Sequence, residues 1–130
     1  MASEITVSAN FSVTKGGGSS SGTMSKTQDL AGDTFVGITQ NLSGTTKEAV
    51  VFPSDMTLGG WVFIRNMTDD SSGAVTPTII VSLTAAAADN TFTIATLLPG
   101  EGTLFKPAAG ATISLTPSAT CVAFIGATEL

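Results

Sequence analysis

With 130 residues and a mean hydropathy of +0.38, the chain is long enough for one domain with its own core and too apolar to be disordered over most of its length. A single cysteine, Cys121, excludes an intrachain disulfide, and charged residues make up only 12% of the chain, where roughly a quarter is usual. The net charge is -5 and the five basic residues, Lys15, Lys26, Lys47, Arg65 and Lys106, are scattered, which argues against a nucleic-acid partner.

Met1-Ala2-Ser3-Glu4 offers neither a basic leader nor an apolar export segment. The longest apolar runs, Trp61 to Ile64 and Ala85 to Ala88, fall far short of the roughly 20 residues that span a bilayer. Synthesis in a cytoplasm without membrane attachment is expected. Sequons at Asn10, Asn41 and Asn66 carry little weight in so Ser/Thr-rich a chain.

The first element is the clearest. Ile5, Val7, Ala9, Phe11 and Val13 alternate with Thr6, Ser8, Asn10, Ser12 and Thr14, the period of a strand with one buried face. Lys15 to Gly22 is dominated by Gly and Ser and reads as a flexible loop or hinge. Two readings stay open. Either residues 1–22 form an arm whose strand swings out to a neighbouring subunit, with 23–130 as the main domain, or the segment is a long hairpin loop within one subunit.

Thr23 to Asp29 reads as a weak second strand and Ala31-Gly32-Asp33 as a turn. Thr34 to Leu42 is a strand with Val36, Ile38, Gln40 and Leu42 on one side, and Ser43-Gly44-Thr45 turns the chain into Glu48 to Phe52, closed by Pro53. Trp61-Val62-Phe63-Ile64 is apolar on both faces, as expected of a strand between two packed layers at the centre of the core. Asp69 to Gly73 is a turn, and Thr78 to Leu83 a β-branched strand after Pro77.

Thr84 to Asn90 holds four alanines, too few for more than a loop or one helical turn. Thr91 to Leu97 alternates with Phe92 and Ile94 expected inside, and Pro99 to Gly102 is a turn. Leu104 to Lys106, Ala111 to Leu115 and Cys121 to Gly126 complete a set of roughly eight to ten short strands. The fold class is therefore all-β, an antiparallel β-sandwich of jelly-roll or related type, its N-terminal segment either a flexible strand arm or a hairpin loop.

Chemistry is scarce. There is no His and no Tyr, so the commonest general base and metal ligand is missing and no Ser-His-Asp or Cys-His arrangement is available. Asp69-Asp70 before Ser71-Ser72-Gly73 has carboxylates for glycoside hydrolysis or calcium, but such a sequence is foremost a solvated turn and lacks the spacing of a calcium loop. Lys15 precedes its glycines and no helix follows, so the phosphate-loop reading fails. Trp61 is a sugar-stacking candidate, better placed in the core by its apolar neighbours, and Cys121 reads as a small buried hydrophobe. No catalytic, cofactor-binding or metal-binding residue is expected.

Two segments carry a resemblance. Gly60-Trp61-Val62-Phe63-Ile64-Arg65-Asn66 and the later Leu97-Leu98-Pro99-Gly100-Glu101 resemble a pattern of small virion proteins of tailed bacteriophages, as do Ile5 to Ala9 and Gly32 to Val36. The insert Gly16 to Gly22 and the acidic turn Met67 to Gly73 depart from it. The resemblance implies a virion protein, most naturally a capsid decoration (cement) protein, otherwise a small tail, neck or fibre component. It also implies contact with the phage major capsid protein or other virion proteins and self-association, with a trimer among the expected states. Assembly contacts are expected at Ile5, Val7, Phe11, Val13, Asp69 and Asp70. A carbohydrate- or receptor-binding module, with Trp61 and the Asp69 turn at the site, is the alternative.

Overall fold

The computed structural model describes residues 4–29, 35–56, 58–85 and 90–129. The turn expected at Ala31-Gly32-Asp33 and most of the alanine run lie outside them. The chain divides into two compact units, Met1–Asp33 and Thr34–Leu130.

The first unit is a two-stranded antiparallel sheet of β1 (Glu4–Lys15) and β2 (Gly18–Asp29), paired along their whole length from Glu4–Asp29 to Lys15–Gly18. The segment expected to be a hinge is therefore strand from Gly18 onward. The reason lies in Gly16 and Gly17, whose φ angles of 60° and 82° form a two-residue turn of the type that matches the twist of paired strands. Small Ser and Gly side chains hide β2 from pattern reading, yet leave its backbone free to pair. Opposite residues share a face, so Ile5, Val7, Ala9, Phe11 and Val13 lie with Gln28, Lys26, Met24, Gly22 and Ser20, while the other face is Thr, Ser and Asn with Glu4 and Asp29 at its open end.

The second unit holds eight strands in two four-stranded antiparallel sheets. One sheet contains β3 (Phe35–Leu42), β10 (Cys121–Glu129), β5 (Leu58–Asn66) and β8 (Gly102–Phe105) in that order. The other contains β4 (Glu48–Ala49), β9 (Thr112–Pro117), β6 (Ile79–Thr84) and β7 (Thr91–Leu97). No helix occurs among the described residues.

Both sheets feed one core. Leu42, Val62, Ile64, Ala123 and Ile125 come from the first sheet, and Ile79, Val81, Leu97, Ile113 and Leu115 from the second. Burying each of the large aliphatic chains contributes about 1.5–3 kcal/mol, so this cluster dominates the stability of the unit. Val36 and Ile38 pack against it and Leu42 lies within it, as the alternation of β3 requires. Cys121 is buried in the same cluster. Burial, and secondarily the charge of Glu48, raises its thiol pKa and keeps it neutral.

Two expectations are corrected. In the run Trp61 to Asn66 of β5, Val62, Ile64 and Asn66 are buried, whereas Phe63 points outward and is 36% exposed. In β7, Phe92 and Ile94 are exposed and Leu97 is buried instead. A shift in register between Val81 and Ser82 of β6 leaves Ile94 unpaired and turns Leu97 rather than Thr96 inward, while Phe92, paired with Leu83, stays on the core side. β7 is also an edge strand, so Phe92 at its far end has a neighbour on one side only.

Candidate assembly surfaces

The end of β5 and the segment Leu97 to Glu101 meet in space. Leu98 to Glu101 is a turn in which the Glu101 N–H donates to the Leu98 carbonyl at 3.1 Å, with Gly100 at φ 78°. Pro99 and Gly100 occupy the positions that a turn with a positive φ at its third residue favours. The Glu101 carboxylate closes the loop by accepting the Leu98 N–H at 2.9 Å. The end of β5 grips this turn. Arg65 Nε donates to the Gly100 carbonyl at 3.2 Å, the Asn66 N–H to the Glu101 carbonyl at 2.9 Å, and the Gly100 N–H to the Asn66 carbonyl at 3.1 Å.

Asn66 is fully buried, and its side chain is used at both ends. Nδ2 donates to the carbonyls of Pro77 at 2.8 Å and Leu97 at 3.3 Å, and Oδ1 accepts the Thr68 N–H at 3.1 Å. One side chain thereby ties the first sheet to the entry of β6 and the exit of β7 in the second. Sequence reasoning passed over Asn66 as a chance sequon. The period of two from Val62 through Ile64 was the signal that placed it inward. This cluster is architectural: it satisfies buried backbone groups and leaves no group aimed at a reactant.

Asp69 and Asp70 sit beside it in the turn that leaves β5. Asp69 accepts the Ser71 N–H and the Ser71 hydroxyl, both at 2.8 Å, and these bonds, the backbone one first, hold its pKa below the usual carboxylate value. The Asp70 carbonyl accepts the Gly73 N–H at 2.8 Å. The Asp70 carboxylate fills the space beside Gly100, where a Cβ would lie 2.7 Å from Oδ2. The pair is thus a turn-building element. Among the described residues no group of three or more His, Cys, Asp or Glu forms a metal-binding cluster.

Ile5, Val7, Phe11 and Val13 all lie on one face of the hairpin, in the other unit. Ile5 is half-buried and Val7 buried, whereas Phe11 is 62% exposed and Val13 45%. Met24 on β2 is equally open. Because Gly22 stands opposite Phe11, the face carries a recess of about 310 Å³ lined by Ala9, Asn10, Phe11, Gly22, Thr23 and Met24.

A second apolar surface lies on the outward side of the first sheet, and composition gave no sign of it. Phe63 and Phe124 meet there with ring centroids 6.3 Å apart and tilted by 57°. Gly37 and Gly126 lie under the Phe124 ring and Gly102 under Phe63, so glycines make room for rings laid along the sheet. Trp61 is half-buried, with its indole N–H shut away from solvent and unpartnered. No family model, curated protein or solved structure matches this chain.

Proposed function

We propose that this chain is a non-enzymatic structural subunit of a bacteriophage virion, a capsid decoration protein that binds the assembled shell and stabilises it through contacts between subunits. The observation that carries the reading is the exposure of Phe11, Val13 and Met24 on the hairpin and of Phe35 and Phe63 on the second unit, on a chain with few charges. Apolar surface turned outward is the mark of a protein meant to be covered.

Strand order supports the finer fold reading. The order β3-β10-β5-β8 facing β4-β9-β6-β7 is what two interlocked Greek keys produce when the first strand pairs with the last, the jelly-roll sandwich found in capsid and lectin domains. The lectin alternative draws little from Trp61, since a sugar platform needs an open ring face and an accessible indole N–H. A tail, neck or fibre position uses the same surfaces and differs only in where the protein binds.

The test adds purified protein to particles that lack it. Electron microscopy is expected to show density at repeated shell positions, and the temperature of particle disruption should rise with protein concentration, because the partner binds only the folded form. Density confined to the tail would move the protein there. No density and an unchanged disruption temperature would remove the virion reading altogether.

A further inference from the structure

We infer that the β1–β2 hairpin is the element through which copies of this chain bind one another, three or more hairpins closing apolar face inward. This deepens the assembly reading above and rests on it.

The hairpin poses a physical problem that copies of itself solve. A two-stranded sheet is at best marginally stable in water, and this one leaves Phe11, Val13 and Met24 open on a single face. Both outer edges are long. Each strand has 12 residues paired on one side only, with an uninterrupted register and neither a proline nor a bulge to discourage further pairing. The opposite face is Thr, Ser and Asn, with Glu4 and Asp29 at one end, and suits water. Charge does not oppose contact: Lys26 opposite Val7 and Lys15 at the turn bracket the patch, and the rows Ala9–Met24, Phe11–Gly22 and Val13–Ser20 between them are uncharged.

The patch is also self-complementary. It presents a projecting ring, Phe11, beside an apolar recess created by the missing side chain of Gly22. Every copy brings both parts, which is what a symmetric interface between identical chains requires.

Area decides against a simple pair. With Val7 buried and Ile5 half-buried, the open part of the face runs from Ala9 to the turn; about seven residues at about 3.4 Å each on two strands about 4.8 Å apart give about 230 Å², hence about 460 Å² over two copies. Stable interfaces bury roughly 1,200–2,000 Å², and two hairpins stacked face to face would leave every edge unpaired. A closed ring places each hairpin between two neighbours, adds the edge hydrogen bonds and removes the exposed edges.

Light scattering on the full chain at tens of micromolar tests this without any particle. The expected mass is at least three times 13.0 kDa. Phe11→Asp combined with Val13→Asp should reduce it to that of one chain, while Ser12→Asp, on the polar face, should leave it unchanged. Trp61 emission reports that the second unit of each variant remains folded, and an unchanged far-UV circular dichroism spectrum reports that the hairpin does. A wild-type mass of one or two chains would overturn the inference, as would a double variant that keeps the wild-type mass. An oligomer that fails to bind particles would sink the virion reading alone, and a monomer that binds them would sink this inference alone.

Discussion

Asn66 shows how a polar residue comes to be the most constrained position in an apolar fold. Its side chain satisfies two carbonyls and one N–H that belong to three separate segments, the Leu97 carbonyl buried and the Pro77 carbonyl and Thr68 N–H partly so. Each buried group left unpartnered costs about 1–3 kcal/mol. Asn66→Ala is therefore expected to lower stability by about 3 kcal/mol, read as a fall in the urea midpoint with an unchanged slope. Asn66→Asp separates hydrogen bonding from charge. A buried carboxyl facing two carbonyls has its pKa raised, so that variant should be tolerated best in acid and lose stability as pH rises past the ordinary carboxyl value. A flat pH profile for Asn66→Asp would show that water reaches the site.

Among the elements, β5 has the most particular shape. Against β10 it carries extra residues between the pairs Leu58–Glu129 and Val62–Ala127, so that Gly59, Gly60 and Trp61 face Thr128. The Thr128 hydroxyl accepts the Trp61 N–H at 3.0 Å, and a Cβ on Gly60 would overlap the Thr128 carbonyl. Gly60→Ala must therefore displace backbone, at a cost at or above the roughly 3 kcal/mol upper end for overpacking. Gly126→Ala, whose Cβ would meet the Phe124 ring at 3.6 Å and the Phe63 Cβ at 3.9 Å, both ordinary contacts, should change stability by less than about 1 kcal/mol. Thermal unfolding of the two variants measures the contrast, and equal midpoints would contradict it. The same elements show what a sequence can disclose. Alternation in Ile5 to Val13 and Val36 to Leu42 exposes a strand and its face, because period two is local. The inward facing of Leu97 was hidden by one unpaired residue, Ile94, since a bulge leaves no compositional trace and flips every side chain after it, and Phe92 is exposed because it ends an edge strand. Gly18 to Ser21 looked like a hinge because their pairing is carried by backbone alone. Of the surface residues, Ile5, Val7, Phe11 and Val13 were legible as one face and Asp69 and Asp70 as a turn. The Phe63–Phe124 face was not, because it depends on which strands lie side by side.

At the scale of the whole molecule, the division of labour follows from where the core is. Every side chain in the buried cluster comes from the second unit, between Val36 and Ala127, and none from the hairpin. The second unit thus has what a cooperative fold needs, two sheets closing on one set of aliphatic chains, whereas the hairpin has paired backbone and an open apolar face. Stability and association are accordingly built into different parts of the chain. A protein lacking residues 1–33 is expected to keep its Trp61 emission and a single cooperative unfolding transition, while its mass falls to that of one chain and its occupancy on particles drops. Urea unfolding, light scattering and particle binding on one preparation measure all three. Loss of the transition would mean that the hairpin supports the core directly. Full particle occupancy by the truncated chain would transfer the contact to the outward rings of Phe63 and Phe124, where Phe124→Ser would then be the variant that detaches it.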